Sequence, residues 1–230
     1  MHVFKNKIIF SGVLCIIALL MFSSGCKNDT SIAPVNDNVS VGYFTQNTQR
    51  DNSIVLDEAK FIVRKIVLES DGDHGEEFEV KIGPFVVLFD ISQVTVVSAA
   101  VATIPAGNFH EIKFQIHKLN PNESVGDPEF FESTSQRFSV IAKGFYNGER
   151  FIYKSAITVE REIELEPQPF VVTNETAINI TISLDIYSWF LQDGVVLNPM
   201  DPANKNIIDH NIKDSFKRAF RDINHDGEPD

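Results

Sequence analysis

The residues best spaced for metal chemistry lie at the C-terminus, over residues 222–230. Oxygen-bearing side chains there occupy positions 1, 3, 5 and 9 of an EF-hand-like loop, with Gly227 at position 6 and a backbone carbonyl at position 7. The sequence ends before position 12, where a bidentate Glu closes such loops, so we expect only weak Ca²⁺ binding; the alternative is a solvated acidic tail. The candidate ligands are Asp222, Asn224, Asp226, Glu228 and Asp230.

Two further groups of carboxylates are candidates for chemistry. Four carboxylates within residues 71–77 could hold a cation, but their spacing is not that of an EF-hand, and Gly and Asp there favour a surface hairpin. The glutamates at positions 160, 162, 164 and 166 would share one face of a strand, about 7 Å apart, which is similar to the separation in an inverting glycosidase. A catalytic acid needs burial to hold its proton, so we interpret this Glu ladder as a solvated face and keep glycan hydrolysis as the alternative.

Histidines and aromatic residues give two more hypotheses. His110 and His117 have opposite parity in one predicted strand and so cannot pair as metal ligands. Tyr187 and Trp189 share parity on a predicted strand face opposite a row of isoleucines, where they could stack on a sugar. The competing interpretation, which we favour, is that an apolar C-terminal helix covers both rings.

The composition limits the classes of protein that could carry these residues. The 230 residues include 32 Asp and Glu against 20 Lys and Arg, a net charge of -12, and the basic residues form no run. Binding to nucleic acid is therefore not expected, because neutralising phosphates needs a basic face. The two cysteines, Cys15 and Cys26, lie in or just behind an apolar leader, so no disulfide framework can hold the fold together.

Short apolar runs rich in Val, Ile and Phe fill the middle of the chain, separated by Gly, Pro, Asn and Asp every 8 to 15 residues. This spacing predicts an all-β fold, an antiparallel β-sandwich, and the absence of long helical crossovers excludes a parallel α/β sheet. The strongest alternation of apolar and polar residues covers residues 178–186. The predicted strands are 61–68, 78–82, 85–91, 94–97, 111–117, 137–142, 150–158, 160–166 and 177–186.

The period changes after Pro202. Apolar residues then recur at intervals of three and four, which predicts one α-helix over residues 206–221 that docks on the sandwich. The residues on its apolar side are Ile208, Ile212, Phe216, Ala219 and Phe220.

The first 25 residues have the features of a secretory signal peptide: Lys5 and Lys7 precede an apolar stretch over residues 8–22, which is short for a bilayer span. The stretch ends in Ser-Ser-Gly before Cys26, and here the chain resembles a bacterial lipoprotein precursor. The resemblance implies cleavage before Cys26 and its acylation, for example with palmitate, and Lys27 in the next position implies the outer membrane. An ordinary signal peptide that leaves Cys26 as a free thiol is the alternative.

A second resemblance concerns residues 60–190. The segments 82–87 (IGPFVV), 104–109 (IPAGNF), 111–114 (EIKF) and 180–189 resemble a family of uncharacterised bacterial lipoproteins with an immunoglobulin- or transthyretin-like domain of unknown function. The resemblance implies a fold and a location in the cell envelope, and it assigns no catalytic residue.

Together these observations predict four regions: a signal peptide (1–25), a lipidated Cys26 with a flexible tether (26–52), a β-sandwich (53–198), and a C-terminal helix with an acidic tail (199–230). Residues 39–44 could form a strand that docks on the domain, a point the sequence leaves open. The expected function is non-enzymatic binding or structural support at the cell envelope, facing the periplasm or the exterior. The membrane would be reached through the lipid, and the partner would be an envelope protein or a glycan.

Overall fold

The computed structural model describes residues 36–45, 52–71, 75–93, 95–133 and 135–230. Most of them are in β-strands, and one short α-helix lies near the C-terminus, as the sequence predicts. The strands are β1 (Val39–Thr45), β2 (Ile54–Ser70), β3 (Glu77–Asp90), β4 (Val97–Ala102), β5 (Gly107–Ile116), β6 (Val140–Tyr146), β7 (Glu149–Ser155), β8 (Val159–Glu166), β9 (Phe170–Val172), β10 (Ile178–Leu184), β11 (Leu191–Gln192), β12 (Val195–Val196) and β13 (Phe216–Arg221). The helix α1 is Lys205–Asp214, and short 3-10 helices cover Pro128–Phe130, Tyr187–Phe190 and Pro202–Asn204.

Eleven of these strands form one curled sheet, a half-barrel. Its main order is β4-β1-β10-β13-β8-β5-β2-β6-β7, with β3 added on β2 and β9 on β5. The long β2 pairs first with β6 and then with β5, while β3 pairs with it over almost its whole length. Register shifts between Leu56 and Glu58 and between Val63 and Lys65 interrupt these pairings, and bulges of this kind bend a strand.

The topology differs from the predicted antiparallel sandwich. Two pairs are parallel, β1 with β10 and β13 with β8. Parallel pairing needs long connections, and the chain supplies them here without βαβ units: β1 and β10 come from opposite ends of the domain, and β13 enters the sheet only after α1. Alternation of apolar and polar residues identifies strands but does not fix their direction.

The predicted C-terminal helix is half correct. Residues Lys205–Asp214 are helical and bury Ile208 and Ile212, but residues Phe216–Arg221 form β13 between β10 and β8. The spacing of four between Ile212, Phe216 and Phe220 fits one face of a helix. In the structure a bulge in β13 interrupts the alternation: Phe216 pairs with Leu184 and Ala219 with Ile182, so these two share a face and Phe220 lies on the other. Between β10 and β8 the backbone N–H and C=O groups need partners, and hydrogen bonding to them favours a strand at residues Phe216–Arg221.

The segment expected to be a tether contains an inner strand. β1 lies between β4 and β10, and its Tyr43 ring packs edge-on against Phe61, Phe114 and Phe216, with ring centroids 5.3 to 6.5 Å apart. Edge-to-face aromatic contacts of this kind add to the burial of the rings. The question that the sequence left open is therefore answered: this part of residues 26–52 belongs to the core.

The other predicted strands agree within about four residues, with three exceptions. The segment predicted over 61–68 is part of the longer β2, which begins seven residues earlier at Ile54. The segments 78–82 and 85–91 merge into β3, where Gly83 has a φ of +101°. The strand predicted over 94–97 instead begins at Val97 and continues to Ala102. Within the described ranges, no helix is long and apolar enough to cross a lipid bilayer.

Candidate functional site

A β-bulge in β5 brings two polar side chains to the same face of the sheet. Glu69 of β2 pairs with Glu111 and the next residue, Ser70, pairs with Phe109, so His110 is the extra residue of the bulge. His110 and Glu111 are both half-buried, between the buried Phe109 and Ile112. A bulge redirects side chains in this way and is frequent beside functional sites.

Three possible metal ligands converge at this bulge. His110 Nε2 lies 3.8 Å from Glu69 Oε1 and 3.9 Å from Glu111 Oε1. Donor atoms of the three side chains lie within 4.8 Å of one another, the one group of this kind among the residues that the structure describes. The two glutamate side chains are 18% and 17% exposed and the imidazole 37%, so solvent reaches the group mainly from the histidine side.

Lys113 lies against the same glutamates. Its ammonium contacts Glu69 Oε2 and lies 3.2 Å from Glu111 Oε1. The hydrogen bond with Lys113 lowers the pKa of Glu69 below its ordinary value, and the hydrogen bond with Glu69 raises the pKa of Lys113. Glu69 is therefore an anion with one oxygen held by Lys113 and the other facing the imidazole.

The other ring nitrogen of His110 faces Asp71. Asp71 Oδ1 lies 3.6 Å from His110 Nδ1, a buried atom that has no hydrogen-bond partner. Asp71 begins the predicted acidic segment 71–77, which connects β2 to β3 as expected of a hairpin, with Ser70 N donating to Glu76 O at 3.0 Å. Residues 72–74 lie outside the described part of the chain. We call Glu69, Asp71, His110, Glu111 and Lys113 the bulge cluster.

The bulge cluster is not predictable from the amino-acid sequence. The parity of His110 and His117 predicts that they do not share one site, and the structure agrees: His117 follows β5, and its Nδ1 lies 2.6 Å from the carbonyl of Lys118. The bulge depends on how β5 pairs with β2, and β2 is separated from it by the whole of β3 and β4. No local signal around His110 could have shown it.

The predicted Ca²⁺ loop is folded around Asp222. This side chain is fully buried, with Oδ2 accepting from Thr181 Oγ1 at 2.8 Å and from Gly227 N at 3.1 Å, and Oδ1 accepting from Asp226 N at 3.1 Å. Asn224 Oδ1 accepts from the same Asp226 N–H at 3.1 Å, which places positions 1 and 3 beside each other. Asp230 Oδ2 accepts from Ile223 N and closes the loop.

Glu228 is predicted to offer its backbone carbonyl to the cation, whereas the contact seen within the loop is made by its backbone N–H. Its N–H donates to Asp226 Oδ1 at 2.9 Å, and its side chain is exposed. The loop is thus an ordered turn that already uses most of its inner oxygens as acceptors. Ca²⁺ binding stays a prediction for this loop.

The predicted sugar-stacking pair, Tyr187 and Trp189, is buried. The two residues lie on a 3-10 helix rather than on a strand face, and they are 5% and 0% exposed. Helix α1 packs against this 3-10 helix, and Asn211 Nδ2 donates to the carbonyls of Trp189 at 3.2 Å and Leu191 at 2.7 Å. The packing of α1, with its buried Ile208 and Ile212, supports the interpretation that the C-terminal helix covers the rings, although Phe216 and Phe220 of the predicted apolar side belong to β13. The two buried rings present no open face on which a sugar could stack.

The Glu ladder lies on β8 as predicted. Glu160 accepts from Gln115 Nε2 at 2.7 Å, and Glu166 pairs with Arg218 of β13. Glu160 and Glu162 also line a shallow cavity of about 230 Å³ together with Lys65 and Lys113. Cys26, the predicted lipidation site, lies outside the described residues.

Comparison of the chain with protein-family models, with curated proteins and with solved structures found no match in any of the three.

Proposed function

We propose that this chain is a lipid-anchored protein of the bacterial cell envelope that works by binding or by structural support. The leader and the small residues before Cys26 support acylation of that cysteine. Two or more acyl chains are enough for a stable anchor without a membrane span. The resemblance to a bacterial lipoprotein precursor, with Lys27 directly after the cysteine, favours the outer membrane.

The observation that carries this proposal is the leader that ends in small residues before Cys26, and the position of β1 sets how far such an anchor could reach. Only residues 27–38 separate Cys26 from Val39, the first residue of an inner strand. Twelve extended residues reach at most about 40 Å. A lipid on Cys26 would therefore hold the sheet close to the membrane, with the chain entering the core directly, and not on the longer flexible tether that the sequence suggested.

Removal of the leader leaves 18 basic against 32 acidic residues, a net charge of -14, so a nucleic-acid partner is not expected. We propose that the partner is an envelope protein or glycan. The relation to immunoglobulin- or transthyretin-like domains stays a proposal.

Acylation is tested by expressing the full chain in a bacterial host with labelled palmitate. We expect label in the wild type and in Cys15→Ser, and none in Cys26→Ser, which should also leave the membrane fraction. Equal labelling of all three chains would contradict the anchor. Release of reducing ends from polysaccharides by the purified chain, lost in Glu160→Gln, would contradict the non-enzymatic role.

A further inference from the structure

We propose that Glu69, His110 and Glu111 bind a divalent transition-metal ion of the Zn²⁺ class. The site goes beyond the proposed function, because neither acylation nor a partner requires it. Its ligands come from two neighbouring strands, with Glu69 on β2 and the other two on β5, and the bulge is what allows two consecutive residues of β5 to serve together.

The distances fit a metal at the centre of the three donors. Two of the three separations are close to 3.8 Å and all three lie within 4.8 Å, so a point equidistant from the donors is about 2.2 to 2.5 Å from each, near the Zn–N and Zn–O bond lengths of roughly 2.0 to 2.2 Å. The measured separations from His110 Nε2 are 3.8 and 3.9 Å. An ion can therefore be held with little movement of the backbone.

The surroundings of His110 match those of a metal-ligating histidine. Such a residue usually donates its second ring N–H to a carboxylate, which fixes the tautomer and the ring orientation. Asp71 Oδ1 is 3.6 Å from the otherwise unpartnered Nδ1, while Nε2 faces the two glutamates. A small closure of Asp71 would complete a carboxylate–histidine–metal arrangement.

The local charge favours a cation. Five carboxylates meet here, and two lysines balance them only in part: Lys113 contacts Glu69 and Glu111 and lies 3.6 to 3.7 Å from Glu77 and Glu162, and Lys65 lies 2.9 Å from Glu77. Asp71 is the fifth carboxylate. Counted without His110, the five carboxylates and two lysines carry a net charge of -3, which a divalent ion would reduce to -1.

The donor set selects the class of ion. One imidazole nitrogen with two carboxylates suits Zn²⁺ and its first-row neighbours, whereas Ca²⁺ and Mg²⁺ prefer oxygen ligands alone. Three protein ligands also leave a fourth position for water, on the side where the imidazole is 37% exposed. The site is thus distinct from the C-terminal loop, which offers oxygen atoms only.

Lys113 should lower the affinity of this site for a metal ion, because its ammonium competes for the same carboxylate oxygens. Its contact with Glu69 uses Oε2 and leaves Oε1 free, but its contact with Glu111 uses the same Oε1 that faces the imidazole. The ammonium must share that oxygen or withdraw when the metal binds. Removal of its charge should therefore strengthen metal binding, an effect that a purely structural cluster would not show.

The test is calorimetric titration of Zn²⁺ into the full chain, purified in detergent without a polyhistidine tag, with Co²⁺ as a visible-absorption probe of imidazole ligation. We expect one Zn²⁺ per chain, and a loss of affinity of at least about tenfold in His110→Ala and in the isosteric Glu111→Gln. Asp71→Asn should weaken binding by roughly tenfold. Lys113→Gln should strengthen it by about fivefold. The matched control His117→Ala should bind as the wild type does.

Absence of Zn²⁺ binding by the wild-type chain would overturn the proposal. So would wild-type affinity in a folded His110→Ala or Glu111→Gln variant, with folding checked by circular dichroism. Because Cys26→Ser should bind Zn²⁺ normally, failure of the metal site and failure of the lipid anchor are separate outcomes.

Discussion

The ammonium of Lys60 lies 2.6 Å from Asp127 Oδ2, although Lys60 is only 4% exposed and stands in the middle of β2. Asp127 also accepts from Glu129 N at 2.9 Å and so caps the 3-10 helix Pro128–Phe130. The Lys60 ammonium also lies over the ring of Phe130, 5.4 Å from the ring centroid. Lys60 thereby fastens the long connection between β5 and β6 to the sheet.

Replacement of Lys60 should destabilise the fold more than replacement of a surface lysine. Burial alone would lower the pKa of Lys60, but hydrogen bonds to Asp127 and Glu129 outweigh it and raise the pKa, so the residue is charged. We expect Lys60→Ala to reduce the free energy of unfolding by about 2 to 3 kcal/mol, less than a fully buried pair because both carboxylates are partly exposed. The control Lys65→Ala, at a 42% exposed side chain, should cost at most about 1 kcal/mol. If urea unfolding gave the same loss of unfolding free energy for Lys60→Ala and Lys65→Ala, the stabilising role given to Lys60 would be contradicted.

Acid should weaken the fold through Glu123. The hydrogen bond from Arg64, followed by the Asn120 backbone N–H at 2.8 Å, lowers the pKa of Glu123 from 4.5 to about 2. A lowered folded-state pKa stabilises the protein above the unfolded-state value, and the stabilisation is lost as the pH falls from about 4.5 towards 2. Thermal unfolding at several pH values should show a shallower decline for Glu123→Gln. An unchanged slope, or the same change in the exposed control Glu175→Gln, would count against the pairing.

Gly227 should be intolerant of a side chain. Its φ is +84°, and an added Cβ would come within 2.5 Å of the Phe44 ring on β1. Gly126 has a similar φ of +75° with nothing within 4 Å, so it separates backbone strain from the clash. We expect Gly126→Ala to cost about 1 kcal/mol and Gly227→Ala at least about 2 kcal/mol. The idea fails if urea unfolding gives the two variants the same stability.

The fluorescence of Trp189 should show whether α1 shields its indole ring from solvent. We expect Ile208→Ala, at a fully buried position of α1, to cost about 2 to 5 kcal/mol and to move the Trp189 emission to the red with easier quenching by iodide. The exposed Asn206→Ala in the first turn of α1 is the matched control. Unchanged emission in a folded Ile208→Ala variant would show that α1 does not shield the indole.

Ca²⁺ should raise the thermal unfolding midpoint if the C-terminal loop binds it, with a dissociation constant of roughly 0.1 to 1 mM. Asp222→Ala is a poor probe, because Asp222 is buried and accepts from Thr181 and Gly227. Asp226→Asn keeps the shape and removes one charge, so it should abolish the Ca²⁺ response. A flat response in the wild-type chain would end the prediction.

Local periodicity predicted much of the fold, because alternation along β8 and β10 reflects one buried and one wetter face. It did not predict the direction of pairing or the strand β13, where a bulge breaks the alternation and leaves an apolar spacing that fits a helix. Val39–Thr45 is an inner strand whose side chains are covered by distant parts of the chain: Tyr43 packs on Phe61, Phe114 and Phe216, and Phe44 lies against Gly227. Its polar surroundings in sequence hide that role.

The candidate site was less predictable than the fold. The C-terminal loop is visible in sequence because its residues are contiguous, whereas the bulge cluster joins Glu69 to residues some forty positions away. Tyr187 and Trp189 were placed on an open face because the strand was extended past Leu184, where the chain instead turns into a 3-10 helix.

The parallel pairing of β1 with β10 bears on mechanics. If the chain is held at Cys26, tension enters the domain along β1, whose seven residues run beside Ile178–Leu184 in continuous register. A pull along that axis loads the hydrogen bonds of the pair in shear, so that they must break together and not one after another. The strand nearest the anchor is thus placed to resist forced extraction from the sheet.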